Sequence, residues 1–355
     1  MINTGLTPLP YTKVMKPIME PSFNFLPNKT FSNAELQEKP LEKLHGGVVV
    51  IGNFDGVHKG HQIVLRTAVG IAEQAGEDKN PFVMTFEPHP RTVFNPSEPV
   101  FRLTSIATKE RLFGALGLQG TVVVPFDTKF ASMEPDDFVV RLLVDHLKVS
   151  HCVVGYDFHF GKNRKGSPEF LIQQGKEYGF GVSVVPAQRD ATGELTYSSS
   201  QVRTFLSRGE IEKANSILGY SYFVSGEVIH GEKRGRDLGY PTANLRLEDN
   251  NELSYGIYAV RLRIDGAMHE GVASFGRRPT FDNGAPLLET FIFDFDEDLY
   301  GKTIEVVLVK YLRGEEKFDG IEPLTEQMNK DSSNAREALA NEAPISDIDR
   351  FLNEY

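Results

Sequence analysis

Two histidines three residues apart, His58 and His61, sit in the stretch GNFDGVHKGH at residues 52–61. At a helix start that spacing puts both imidazoles on one side. Gly56 and Gly60 allow close backbone approach to a ligand, and N–H donors at a helix N-terminus suit a polyphosphate. Imidazoles placed there can stabilise charge on a phosphorus in flight without bonding to it. A zinc reading is weak, because no third ligand is indicated and HExxH is absent. An isolated HxxH is more often a pair of locally satisfied side chains, and only the glycine context favours phosphate chemistry.

Further stretches add chemistry at a distance. SSSQVR, residues 198–203, places serines before an amphipathic run, the pattern of a helix N-cap, whose exposed end also attracts anions. In YPTANL, Thr242 and Asn244 are two apart, so an extended segment points both to one side. Paired oxygen donors suit Mg²⁺; the bland alternative is a polar turn after a proline. GEKRGRDLG, residues 231–239, reads as a basic glycine loop able to close over phosphates, or as a solvated turn. The phosphate-loop pattern GxxxxGK[ST] is missing: GYDFHFGKN has five residues between its glycines and Asn163 at the hydroxyl position. Asp294, Asp296, Asp298 and Glu305 sit at calcium-loop offsets, but Leu299 replaces the needed glycine, so DFDEDLYGK reads as an acidic hairpin turn.

Elements must position these residues. VVVI before Gly52 reads as a buried strand, and HQIVLRTAVGIAEQ after it has helical spacing, with Ile63, Leu65, Ala68, Val69 and Ala72 on one face. The histidines therefore stand where a strand hands over to a helix, the place ligands bind in an open α/β sheet. From residue 47 to about 218, strand-like runs alternate with helical ones, PDDFVVRLLVDHL and SSQVRTFLSRGEIEKANSILG among the latter. That rhythm predicts a parallel sheet covered on both faces. After Gly219, short alternating strands parted by Gly, Asp and Asn predict an antiparallel barrel or sandwich, followed by terminal helices.

The chain's 355 residues suffice for two domains. Its net charge of −11 argues against a general nucleic-acid binder, and its single cysteine, Cys152, fits a reducing compartment. No run approaches the ~18 apolar residues of a membrane span. Six of the 20 prolines fall in the first 40 residues, which read as an extended or partly disordered arm with no signal-peptide core.

IGNFDGVHKGHQ, TFEPHPR, VGYDFHFG and SSSQVR resemble, in order and spacing, the nucleotidyltransferase half of bacterial bifunctional riboflavin kinase/FAD synthetases. GRDLGYPTANL, GIYAVR, VASFGRRPTF, DFDEDLYGK and LRGEEKF resemble their kinase half. The likeness runs from about residue 45 to the C-terminus. It implies a proline-rich arm over 1–44, a Rossmann-like FMN adenylyltransferase domain over 45–218, and a β-barrel riboflavin kinase domain with terminal helices over 219–355.

By the same resemblance His58 and His61 grip the ATP phosphates during adenylyl transfer, and Glu289 is the base facing the riboflavin 5′-hydroxyl. Gly52, Asn53, Phe54, Asp55, Gly60 and Asp157 belong to the nucleotide or flavin site. Ser199, Ser200 and Arg203 form a second phosphate patch; Gly235, Arg236 and Arg313 serve the kinase ligands; Thr242 and Asn244 hold Mg²⁺. Ser200 stands where the family more often has Thr, and Phe291 where a histidine is common. The implied enzyme is cytoplasmic and uses ATP as co-substrate, with riboflavin, FMN and FAD as substrates or products. It binds small molecules rather than nucleic acid or membrane, with room for a transient homo-oligomer. The alternative is a nucleotidyltransferase for another phosphorylated metabolite with a flavin-binding C-terminal module, which leaves GYPTANL through LRGEEKF unexplained. A binding module without catalysis is opposed by His58, His61, Asn244 and Glu289, and an RNA-binding relative by the acidic charge.

Overall fold

Val48–Ile51 is a run of β-branched residues with no polar alternation, and such runs suit a strand covered on both faces. It is β2 of a parallel sheet and is buried throughout. The structure is a computed structural model, describing residues 29–30, 44–76, 79–190, 192–230, 240–277, 286–340 and 342–354. The basic glycine loop 231–239, with Gly235 and Arg236, lies outside the described residues.

The other strands of the sheet are β1 (Lys29–Thr30), β3 (Pro81–Glu87), β4 (Thr121–Pro125), β5 (His151–Gly155) and β6 (Gly181–Val185). Their order is β1-β4-β3-β2-β5-β6, with β2 paired to β3 on one side and β5 on the other. The winding reverses between β2 and β5, so a crevice opens beyond their carboxyl ends. The proline-rich arm contributes β1, two residues lying parallel to Val122 and Val123 at the sheet edge.

Helices α1 (Lys59–Ala75), α2 (Pro90–Phe94), α3 (Ile106–Ala115), α4 (Pro168–Tyr178), α5 (Ser199–Ser207) and α6 (Ile211–Leu218) follow the strands. On α1, Val64, Leu65, Ala68 and Ala72 are buried, while Ile63 and Val69 lie half-buried at the rim of that face. PDDFVVRLLVDHL is not one α-helix: Phe138–His146 is π-helical. Its end carries Leu147 N–H bonded to the Leu142 carbonyl, one residue wider than an α-turn, and Phe138, Val139, Leu142 and Leu143 are buried. The run from Ser199 to Leu218, which reads as one helix, breaks at Gly209. There φ is +71°, and an added Cβ would lie 3.0 Å from the Tyr311 ring, so glycine alone fits.

The second half resolves the choice between barrel and sandwich. Strands β7 (Phe223–Ile229), β8 (Thr242–Arg246), β9 (Gly256–Ile264), β10 (Ala267–Arg277), β11 (Pro286–Ile292) and β12 (Thr303–Arg313) close into a barrel of order β10-β11-β8-β7-β12-β9. Ala243, Leu245, Leu288, Thr290 and Ile292 are buried inside; Thr242, Asn244, Glu289 and Phe291 alternate to the outer face. Helix α7 (Ile321–Ala340) packs Ala335 and Leu339 against Ala259, Phe293 and Val309 on that outer surface, and α8 (Asp347–Glu354) follows. The acidic stretch after β11 is not a hairpin turn. β11 pairs with β8 and β10, whereas β12 pairs with β7 and β9, so the stretch is a crossover between strands that do not touch.

One hydrophobic core runs through both halves, from Val50 and Leu65 through Leu218 and Tyr220 to Leu308 and Phe351. Arg111 of α3 donates to both Glu305 oxygens on β12 at 2.8 and 2.9 Å and to the Leu352 carbonyl at 2.9 Å. Arg263 pairs with the same carboxylate. Buried apolar contact and a multiply bonded carboxylate join sheet and barrel.

Candidate active sites

A cleft of about 1150 Å³ opens at the carboxyl ends of β2 and β5, where the sheet order reverses. Of the residues expected at a nucleotide site, Gly52, Asn53, Phe54, Asp55, His58, Gly60, His61, Asp157, Ser199, Ser200 and Arg203 all line it. Residues 52–58 form the loop that leaves β2. Phe54 (φ 49°) and Val57 (φ 37°) are held in the left-handed region, which costs on the order of 1–3 kcal/mol each.

Such a loop persists only if its surroundings hold it. The Asp55 carboxylate accepts from the backbone N–H of Leu103 and Thr104, at 3.1 Å each, and from the Arg203 guanidinium. Arg203 Nε also donates to the Phe101 carbonyl at 2.6 Å. Tyr220 donates to the Gly56 carbonyl at 2.8 Å, and Ser199 Oγ to the Asp55 carbonyl at 2.8 Å. Asp55 and Arg203 thus form a buried ion pair at the cleft wall that clamps the loop to α5. Ser198, not Ser199, caps α5, its side chain accepting from Gln201 N–H. Ser200 is exposed to the cleft, as is Asp157 in the turn after β5.

His58 caps α1. Its Nδ1 accepts the His61 backbone N–H at 3.3 Å, which leaves the ring proton on Nε2. The two imidazoles stack with centroids 3.6 Å apart, and Phe54 meets His61 edge-on at 5.3 Å. An added Cβ at Gly60 would lie 3.1 Å from the His58 ring, so glycine makes room for the stack. Burial lowers the His58 pKa to about 4 despite the nearby Asp55 charge. His61 is pushed well below its ordinary value by burial and by the neighbouring His58 and Lys109. Both rings are neutral at pH 7, each with one N–H to offer.

Two residues here carry no motif signal that singles them out. His89, in TFEPHPR, caps α2, borders the cleft, and has its pKa lowered to about 4 by burial. Lys109, in the first turn of α3, is buried and donates to the Asn53 carbonyl at 2.8 Å. The far wall is aromatic, with Phe158 stacked on Phe160 at 5.4 Å and Phe94 edge-on to Phe126 at 5.7 Å.

The barrel holds a second cluster. Asn244 on β8 stands opposite Glu289 on β11, which stands opposite Ser274 on β10; two residues along, Thr242 faces Phe291. Asn244 Oδ1 is buried with no hydrogen-bond partner, while its Nδ2 donates to the Thr242 carbonyl at 3.2 Å. An orphaned carbonyl oxygen between a threonine and a carboxylate is a donor set that a hard divalent cation such as Mg²⁺ accepts. Phe291 packs on Tyr240 at 4.8 Å and on Phe293 at 5.8 Å, an apolar wall where a histidine is common among the proteins it resembles. Arg313, expected at a ligand, gives Nε and Nη2 to Asp331 of α7 at 2.9 and 2.6 Å. That ion pair fastens α7 to the barrel.

Residues 41–201 match the FAD synthetase family, and residues 218–339 the riboflavin kinase family. A bifunctional riboflavin kinase/FMN adenylyltransferase from Listeria monocytogenes is 39% identical over 296 residues, spanning 82% of this chain and 92% of its own length. That from Escherichia coli strain K12 is 38% identical over 304 residues, 85% and 95% of the respective lengths. A crystal structure described as a macrolide-efflux protein from Streptococcus pneumoniae superposes with a TM-score of 0.73 at 32% identity, covering 84% of this chain and 95% of that one. Among the described residues, no helix here is long and apolar enough to cross a membrane.

Proposed function

The chain belongs to the family of bifunctional riboflavin kinase/FMN adenylyltransferases and carries both activities, riboflavin phosphorylation and adenylyl transfer to FMN; from that premise we propose which residues serve each step. The observation that carries the division is placement. The stacked His58–His61 pair lies at the sheet's carboxyl edge, and the Asn244–Glu289 pair lies on the outer face of the barrel. We divide the chain accordingly into an arm (1–44), an adenylyltransferase domain (45–218) and a kinase domain (219–355).

On the barrel, Glu289 takes the proton from the riboflavin 5′-hydroxyl as its oxygen attacks the γ-phosphorus of ATP, and ADP leaves. Thr242 and Asn244 hold Mg²⁺, which when bound neutralises charge on the phosphates. Phe291 and Tyr240 present an apolar flank that keeps water from competing with the flavin hydroxyl.

In the cleft, an FMN phosphate oxygen attacks the α-phosphorus of a second ATP, and pyrophosphate leaves as FAD forms. Neutral His58 and His61 donate N–H bonds to the phosphates, and the arriving negative charge draws both pKa values upward. A preorganised pair in a water-poor wall costs little reorganisation as charge shifts towards the leaving oxygen. Asp55 and Arg203 keep the loop in its strained shape, and Ser200 and Asp157 meet ligand from the opposite side.

These ligands are small molecules, and a net charge of −11 argues against a general nucleic-acid binder. A buried free thiol, Cys152, whose pKa burial raises, suits the cytoplasm, where ATP is supplied. Incubation with riboflavin, ATP and Mg²⁺, followed by flavin chromatography, tests the scheme: FMN appears first and FAD after it. FAD from FMN but none from riboflavin would remove the barrel's assigned role.

A further inference from the structure

Lys109, in the first turn of α3, is 1% exposed, with its Nζ 2.8 Å from the Asn53 carbonyl. That is the one hydrogen bond it makes among the described residues, and its acceptor is neutral. Of the nearby carboxylates, Asp55 is engaged by Arg203 and two backbone N–H groups, and Glu87 meets Arg102 through Oε1 while its Oε2 is buried without a hydrogen-bond partner. A buried ammonium that touches no carboxylate directly, the Asp55 and Glu87 charges acting on it only from a distance, is costly, so a structural role alone is a poor reason for it. The same Asn53 carbonyl also accepts from Thr85 Oγ1 at 3.2 Å, while Asn53 Oδ1 is buried with no partner. The surplus positive charge therefore sits directly behind the loop that faces the cleft.

We propose that Lys109 is a positioning residue for adenylyl transfer, its buried ammonium fixing Asn53 and supplying a positive charge that the ATP triphosphate completes. The inference rests on the cleft being the adenylyl-transfer site. Lys109 acts through the loop and through its field, since it is not itself part of the cleft wall. Charged and titratable groups around it are Asp55 and Glu87, which favour its charge, Arg102, which opposes it, and the pair His61 and His89, whose protonation it disfavours. Burial lowers its pKa to about 8, so the free enzyme loses this charge just above neutral pH.

The test compares wild type with Lys109→Met and Lys109→Arg. Lys109→Met keeps the volume and removes the charge. FAD formation from FMN should fall on the order of 10²-fold with a raised KM for ATP, while riboflavin phosphorylation stays unchanged. In wild type, kcat/KM for FMN adenylylation should decline as pH rises through about 8, and Lys109→Arg should move that decline upward. A Lys109→Met protein with wild-type FAD formation, or a wild-type profile unaltered by Lys109→Arg, overturns the proposal. If Lys109→Met does not fold, the wild-type and Lys109→Arg profiles decide. Failure of wild type itself to make FAD would count against the site assignment, not against Lys109.

Discussion

Asn244 and Glu289 stand directly opposite each other on neighbouring antiparallel strands, both on the outer face of a closed barrel. An amide oxygen left unpartnered beside a carboxylate is unfavourable unless a ligand completes it. The pair therefore reads as a site prepared for a cation and a hydroxyl.

Asn244→Ala should abolish FMN formation from riboflavin and leave FAD formation from supplied FMN intact. Asn244→Asp, which keeps an oxygen and adds charge, should retain phosphorylation with a shifted Mg²⁺ requirement. Flavin chromatography of the two half-reactions across a Mg²⁺ titration checks both. Loss of adenylyl transfer with phosphorylation spared would reverse the assignment of the two halves.

His61→Ala removes one of two preorganised donors. The FMN-to-FAD step should slow on the order of 10²–10³-fold, with riboflavin phosphorylation near normal. Equal damage to both steps in a folded variant would mean that His61 holds up structure rather than phosphate.

His89 is buried neutral, its pKa lowered from 6.5 to about 4 by desolvation. The unfolded chain takes up that proton first as pH falls, so this contribution to stability is full above about 6.5 and is lost as pH falls towards 4. His89→Asn keeps a side-chain acceptor for the Arg91 N–H and removes the titration. Its melting temperature should drop less between pH 7 and pH 5 than that of wild type. An identical drop would show that His89 does not titrate with folding.

Much of this was legible in the residues. Strand and helix rhythm gives the parallel sheet, and the motif GNFDGVHKGH falls where a strand hands over to a helix. Alternation puts Thr242 and Asn244 on one side of an extended segment, and the barrel makes that side the outer one. What alternation cannot say is which strands pair: a barrel and a sandwich share the same pattern, and the acidic crossover looks like a hairpin because its neighbours in space lie far away in sequence. The partners of the arginines were hidden for the same reason. Arg313 is answered by Asp331 and Arg203 by Asp55, partners on separate elements. Lys109, in a helix with a polar-looking surface pattern, becomes conspicuous only once the 52–58 loop is packed against it.

The reactions are assigned to two separate places, with no carrier group between them among the described residues, so FMN must leave the barrel before it enters the cleft. Mixing the Asn244→Ala and His61→Ala proteins and supplying riboflavin, ATP and Mg²⁺ tests this most directly. FAD should be restored after a lag in which FMN accumulates, made by the His61→Ala protein and consumed by the Asn244→Ala protein. A mixture that makes no FAD, although each variant performs its remaining half-reaction, would contradict transfer through solution and require direct handover within one chain or assembly.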